Sequence, residues 1–131
     1  MNNPNPDYIG FRAAGERLVS LLQKRNALGL NELLYPQSCT ALRDLVRRAS
    51  LRDEPKVLEE TAKVVAQINT IKHHVIVENV DSLAEIDGVV ERMRASLHTL
   101  PRNQGQVQLG AALLVLHISL ERKIQAVQAA L

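Results

Sequence analysis

Between Gln106 and Leu131 the chain passes from apolar on nearly every position to apolar on every third or fourth. The run Leu109-Gly-Ala-Ala-Leu-Leu-Val-Leu-His-Ile-Ser-Leu120 presents apolar side chains all round, which a helix tolerates only when other segments enclose it. It therefore predicts a central helix wrapped by the rest of the chain. A membrane span needs about 20 apolar residues, whereas Glu121-Arg122-Lys123 ends this run after residue 120. Beyond those charges the pattern narrows to Leu120, Ile124, Val127 and Leu131, a single stripe predicted to reach the end of the chain and to serve self-association.

Four further stripes precede it. Asp7 is a plausible N-cap for a first helix reaching about Asn26, with Phe11, Ala14, Leu18, Leu21 and Leu22 inward and an Arg12–Glu16 pair one turn apart. Gly15 lies inside that stripe, and because a mid-helix glycine costs about 1 kcal/mol relative to alanine it suggests a close backbone crossing. Gly29 fits a helix stop, and Asn31 to Pro36 reads as a separate short turn. Ser38 is expected to cap a second helix to about Ser50, burying Leu42, Leu45, Val46 and Ala49. Pro55 opens a third helix with Leu58, Thr61, Val65, Ile68, Ile71 or Lys72, and Val75 inward, drawn on to about Asn79 although the β-branched residues from His73 to Val80 also suit a strand. Ser82 and Glu85 form a capping box for a fourth helix, whose stripe Ile86, Val90, Met93, Leu97 and Leu100 keeps heptad spacing until Pro101. The loop Arg102 to Gly105 follows. The reading is one all-α domain over residues 1–131, irregular at 1–6, forming an antiparallel up-and-down bundle of about five helices.

Composition removes several functions. With one Phe, two Tyr and no Trp, stacking platforms for exposed bases are scarce. The lone Cys39 supplies no disulfide framework, and the first residues show no secretory pattern, so a cytoplasmic protein is expected. A net charge of +2 conceals three blocks: residues 1–53 carry eight Lys/Arg against five Asp/Glu, residues 54–91 three against eight, and residues 92–131 five against one. Such blocks either neutralise one another inside the fold or present a basic face to an acidic partner. On the second helix Arg43, Arg47 and Arg48, with Arg52 following on the same side as Arg48, place like charges four apart, an arrangement that calls for a negative neighbour.

No catalytic or cofactor constellation emerges. No two histidines among His73, His74, His98 and His117 have the helical spacing of a metal site, and the acids near them are taken as no better placed, so no metal or other cofactor is expected. Asp87 and Glu91, one turn apart, read as part of a solvated acidic face. Cys39 near a helix N-terminus is a conceivable nucleophile but lacks the usual context, and a small buried residue is the simpler reading. The sequence thus points to a non-enzymatic protein-binding module of regulator, adaptor or chaperone type, self-associating as a homodimer through apolar helix faces. The alternative is a protein that contacts the phosphate backbone of duplex RNA or DNA through Arg43, Arg47, Arg48 and Arg52.

Overall fold

The computed structural model describes residues 8–27, 35–51, 55–71 and 80–130. Within them lie α1 (Ile9–Ala27), α2 (Tyr35–Leu51), α3 (Pro55–Ile71), α4 (Val80–Ser96) and α5 (Gln104–Ala130), with a 3-10 turn at Leu97–Thr99. The protein is an all-α bundle, as the stripe spacing requires, and no strand occurs among the described residues. Asp7, Gly29, residues 31–34 and residues 72–79, where helix and strand competed, lie outside them; Val80 itself opens α4.

Local chemistry sets the ends. Pro36 falls within the first turn of α2, where its missing N–H leaves no intrahelical bond unmade, so the helix starts at Tyr35 instead of being capped by Ser38. Likewise α4 starts at Val80, two residues before the Ser82 expected to open it. At the other end α4 yields to the 3-10 turn after Ser96, closed by the Leu100 amide donating to the Leu97 carbonyl at 3.1 Å. Leu100 is extended, as a residue before proline is driven to be. Asn103 then caps α5: its Oδ1 accepts from the Gln106 amide at 2.9 Å. The Gln106 side chain reaches back to the Leu97 carbonyl at 2.9 Å, tying the new helix to the end of the previous one.

The helices close into a ring. α1 packs on α2, α2 on α3, α3 on α5, α5 on α4, and α4 on α1. Against rising numbers on α1, partners on α4 fall: Gly10 faces Ser96, Gly15 faces Met93 and Arg17 pairs with Glu85. Against α5, Asp87 meets His117 while Leu97 meets Gln106 and Gly110, again antiparallel. The α2–α3 connection spans only residues 52–54, with Arg48 facing Glu60 close to the corner, so these two form a hairpin. Five is odd, so alternation cannot run all the way round. α3 and α5, the most extensive contact, run parallel and close the ring.

The inward stripes named from the sequence in α1 to α4 are buried at every position whose side chain is described; Ile71, Lys72 and Val75 of the third stripe lie outside those side chains. Phe11, Leu18, Leu42, Val46, Leu58, Val65, Val90 and Met93 all reach full or nearly full burial, and Tyr8 packs edge-on against Phe11 at 6.3 Å. The hydroxyl of buried Thr61 donates to the Val57 carbonyl at 2.8 Å, so its polarity is satisfied within its own helix. The expectation for α5 needs correction. Leu109, Leu113, Leu116 and Leu120 are buried, but Val107, Leu114, Val115 and Ile118 are 38–51% exposed. The run is flanked by α3 and α4 on one side and is open on the other.

Candidate functional site

Spacing explains which α5 residues turn inward. Leu109, Leu113, Leu116, Leu120, Ile124 and Val127 follow one another at four, three, four, four and three, a single continuous helical face. The stripe assigned to self-association is therefore the continuation of the core face. Leu120 is buried, Ile124 packs against the core and Val127 is half-buried, while Leu131 lies outside the described residues. The outward face is Val107, Ala111, Leu114, Val115 and Ile118, about 16 Å of helix. No Asp, Glu, Lys or Arg occurs from residue 104 to 120. Beside it a notch of about 240 Å³ opens between α4 and α5, lined by Leu97, Gly110, Ala111 and Leu114 together with Arg94, His98 and Gln106.

The arginine face of α2 is met by acids from both neighbours. Arg47 lies 3.9 Å from Glu16 of α1, and Glu16 also accepts from Arg12 at 3.2 Å. Arg48 lies 3.6 Å from Glu60 of α3. Arg43 and Arg47 line a groove shared with Glu16, Val19, Ser20 and Gln23, and Arg52 is outside the described residues. Arg47 and Arg48 thus each find a negative neighbour on an adjoining helix, as does Arg17 with Glu85. All these pairs are substantially exposed and add little stability.

Cys39 is buried, and desolvation pushes its thiol up to about 11, with the Arg43 charge pulling weakly the other way. The helix N-terminus does not activate it. At pH 8 the native thiol is expected to react with an aromatic disulfide reagent about 100-fold more slowly than in the urea-unfolded chain, because roughly one molecule in a thousand carries the thiolate. Equal rates would show that the cysteine is open.

The most concentrated polar chemistry lies at the α4–α5 contact. Asp87 and Glu91 on α4 and His117 and Glu121 on α5 are each one turn apart, and the antiparallel packing brings the two pairs face to face. His117 Nδ1 is 2.7 Å from Asp87 Oδ1, and its Nε2 is 3.3 Å from Glu91 Oε1 and 3.4 Å from Glu121 Oε1. Glu91 is held in turn by Arg94, whose Nε donates to Oε2 at 2.7 Å. The Asp87 hydrogen bond, with the surrounding acids, raises the His117 pKa above that of a free imidazole. Burial raises the Asp87 pKa despite the opposing pull of the His117 hydrogen bond and charge. Asp87, His117 and Glu121 offer ligand atoms within 4.8 Å of one another, the one such group among the described residues.

Contrary to the expectation that no histidine has a suitably spaced partner, one does. His117 and Glu121 do have i, i+4 spacing, and Asp87 and Glu91 match it on the facing helix, but only the pairing of α4 with α5 joins them. No helix among the described residues is long and apolar enough to cross a membrane. No protein-family model, curated protein or solved structure matches this chain.

Proposed function

We propose that the protein is a non-enzymatic helical module that acts by protein–protein contact, and that its first partner is a second copy of itself seated on the outer face of α5. The observation that carries this reading is the uncharged apolar strip Val107, Ala111, Leu114, Val115 and Ile118, whose larger members are 38–51% exposed. A run of apolar side chains along one exposed helix face is a surface that monomers seldom leave bare. A second copy is favoured over an unrelated partner by charge. In a two-fold contact the same patch faces itself, so any ionised residue would meet its own kind, and this strip contains none. The small Ala111 within it allows close approach, and the adjoining notch can receive a side chain of the opposing helix. A regulator, adaptor or chaperone role would build on this dimer. The phosphate-binding alternative is less well supported, since Arg47 and Arg48 already face Glu16 and Glu60.

The test is sedimentation velocity over a concentration series, with circular dichroism as a fold control. The wild type is expected to sediment as a dimer, and Leu114→Asp or Ile118→Lys as a helical monomer. Two outcomes count against the reading: a wild-type monomer at the highest concentration, or charged variants that dimerise as the wild type does.

A further inference from the structure

We propose that Asp87, Glu91, His117 and Glu121 form a binding site for a first-row divalent cation, Zn²⁺ being the fitting probe, that staples α4 to α5. Four observations lead there. The first is convergence: three carboxylates from two helices meet one imidazole, and each of its ring nitrogens faces a carboxylate oxygen. The second is distance. Zinc bonds to nitrogen and oxygen of about 2.0–2.2 Å set neighbouring tetrahedral ligands about 3.4 Å apart. His117 Nε2 lies 3.3 Å from Glu91 Oε1 and 3.4 Å from Glu121 Oε1, so both spacings match an edge of such a tetrahedron.

The third is orientation. Asp87 is only 14% exposed and holds Nδ1 at 2.7 Å, which leaves Nε2 as the ring's ligand atom and turns it towards Glu91 and Glu121. A carboxylate behind a ligating histidine fixes the tautomer and strengthens the nitrogen as a donor. Asp87 is thus a positioning residue and His117 and Glu121 are the ligands, with Glu91 the third carboxylate, facing the same nitrogen from α4. The fourth is charge. With a neutral imidazole the cluster carries three negative charges against the single guanidinium of Arg94, which holds Glu91 in place. A divalent cation brings that sum to zero. One imidazole with carboxylates suits zinc or manganese better than a thiol-seeking metal. Glu121, whose side chain is 53% exposed, gives the site a route to solvent.

The experiment is calorimetric titration of the chelator-treated full chain with Zn²⁺, followed by thermal unfolding with and without the metal. One ion per chain and a raised unfolding temperature are expected. Asp87→Asn should weaken binding about 10–100-fold, as loss of a carboxylate behind a ligating histidine does. Glu121→Gln sits at an exposed position, so it should keep the fold while losing at least about 10-fold in affinity and the thermal shift. His98→Gln, at a histidine outside the cluster, should change neither. The proposal is overturned if the wild type takes up no Zn²⁺ at millimolar concentration, or if binding survives Glu121→Gln and His117→Ala unchanged, which would place the ion elsewhere. Neither result bears on the dimer, which is read from sedimentation alone.

Discussion

Leu113→Ala is expected to destabilise the protein by about 2–5 kcal/mol, whereas Leu114→Ala, one residue away, should cost under about 1 kcal/mol in the monomer. The composition of the run cannot distinguish the two, since both are leucines in the middle of the same apolar stretch. The ring of helices does. Leu113 is fully buried where α5 meets α3 and α4, and truncation there removes its transfer energy and leaves a cavity that rigid neighbours close only in part. Leu114 points the other way and is 38% exposed. Urea unfolding of both variants, at concentrations low enough to keep the chain monomeric, reads the difference directly. Equal losses, or the larger loss at Leu114, would mean that α5 is rotated on its axis so that Leu113 no longer faces the core. At higher concentration Leu114→Ala should instead weaken dimer formation, so the two leucines report on separate properties of one helix.

This pair also marks where the sequence stops being legible. Period alone identified the inward faces of α1 to α4, because each of those helices is polar on its other side. Phe11, Leu42, Leu58 and Val90 are buried as their spacing demands. In α5 the same test loses its phase. When both faces are apolar, nothing in the spacing of Leu109 to Leu120 says which one meets the core, and a wholly enclosed helix and a helix with a bare apolar face read alike. Phase returns after Glu121, and projecting Leu120, Ile124 and Val127 backwards leads to Leu116, Leu113 and Leu109. The helix start at Pro55 is legible, but Pro36, which reads as the end of a separate turn, falls inside the first turn of α2, and the Asn103 cap depends on a side chain that no periodicity shows. The His117 cluster was half legible. Each i, i+4 pair can be read along the chain, but their meeting depends on α4 lying beside α5, which is a property of the ring.

Replacing Gly15 should separate the helix-propensity effect from the packing effect, and packing should win. Alanine for glycine in a helix ordinarily gains about 0.5–1 kcal/mol. Gly88, on the exposed side of α4 with nothing within 4 Å of a built Cβ, should show that gain. At Gly15 a Cβ would lie 2.8 and 2.9 Å from the two Val46 methyl carbons and 3.4 Å from Met93 Cε. Val46 is fully buried and β-branched, so its methyls cannot swing aside without leaving the one rotamer a helix favours. Such overlap typically costs about 1–3 kcal/mol, enough to cancel the propensity gain at alanine and exceed it. Gly15→Ala should therefore destabilise by about 1–2 kcal/mol and Gly15→Val by about 3 kcal/mol or more, read from urea midpoints. The decisive comparison is a double-mutant cycle. Val46→Ala removes the obstructing methyls, so Gly15→Ala in that background should be neutral or stabilising, a coupling of about 1–3 kcal/mol between the two positions. A Gly15→Ala variant as stable as Gly88→Ala, or a cycle without coupling, would mean that α1 and α2 do not cross at Gly15. The contact that orients the first side of the ring would then have to be drawn elsewhere.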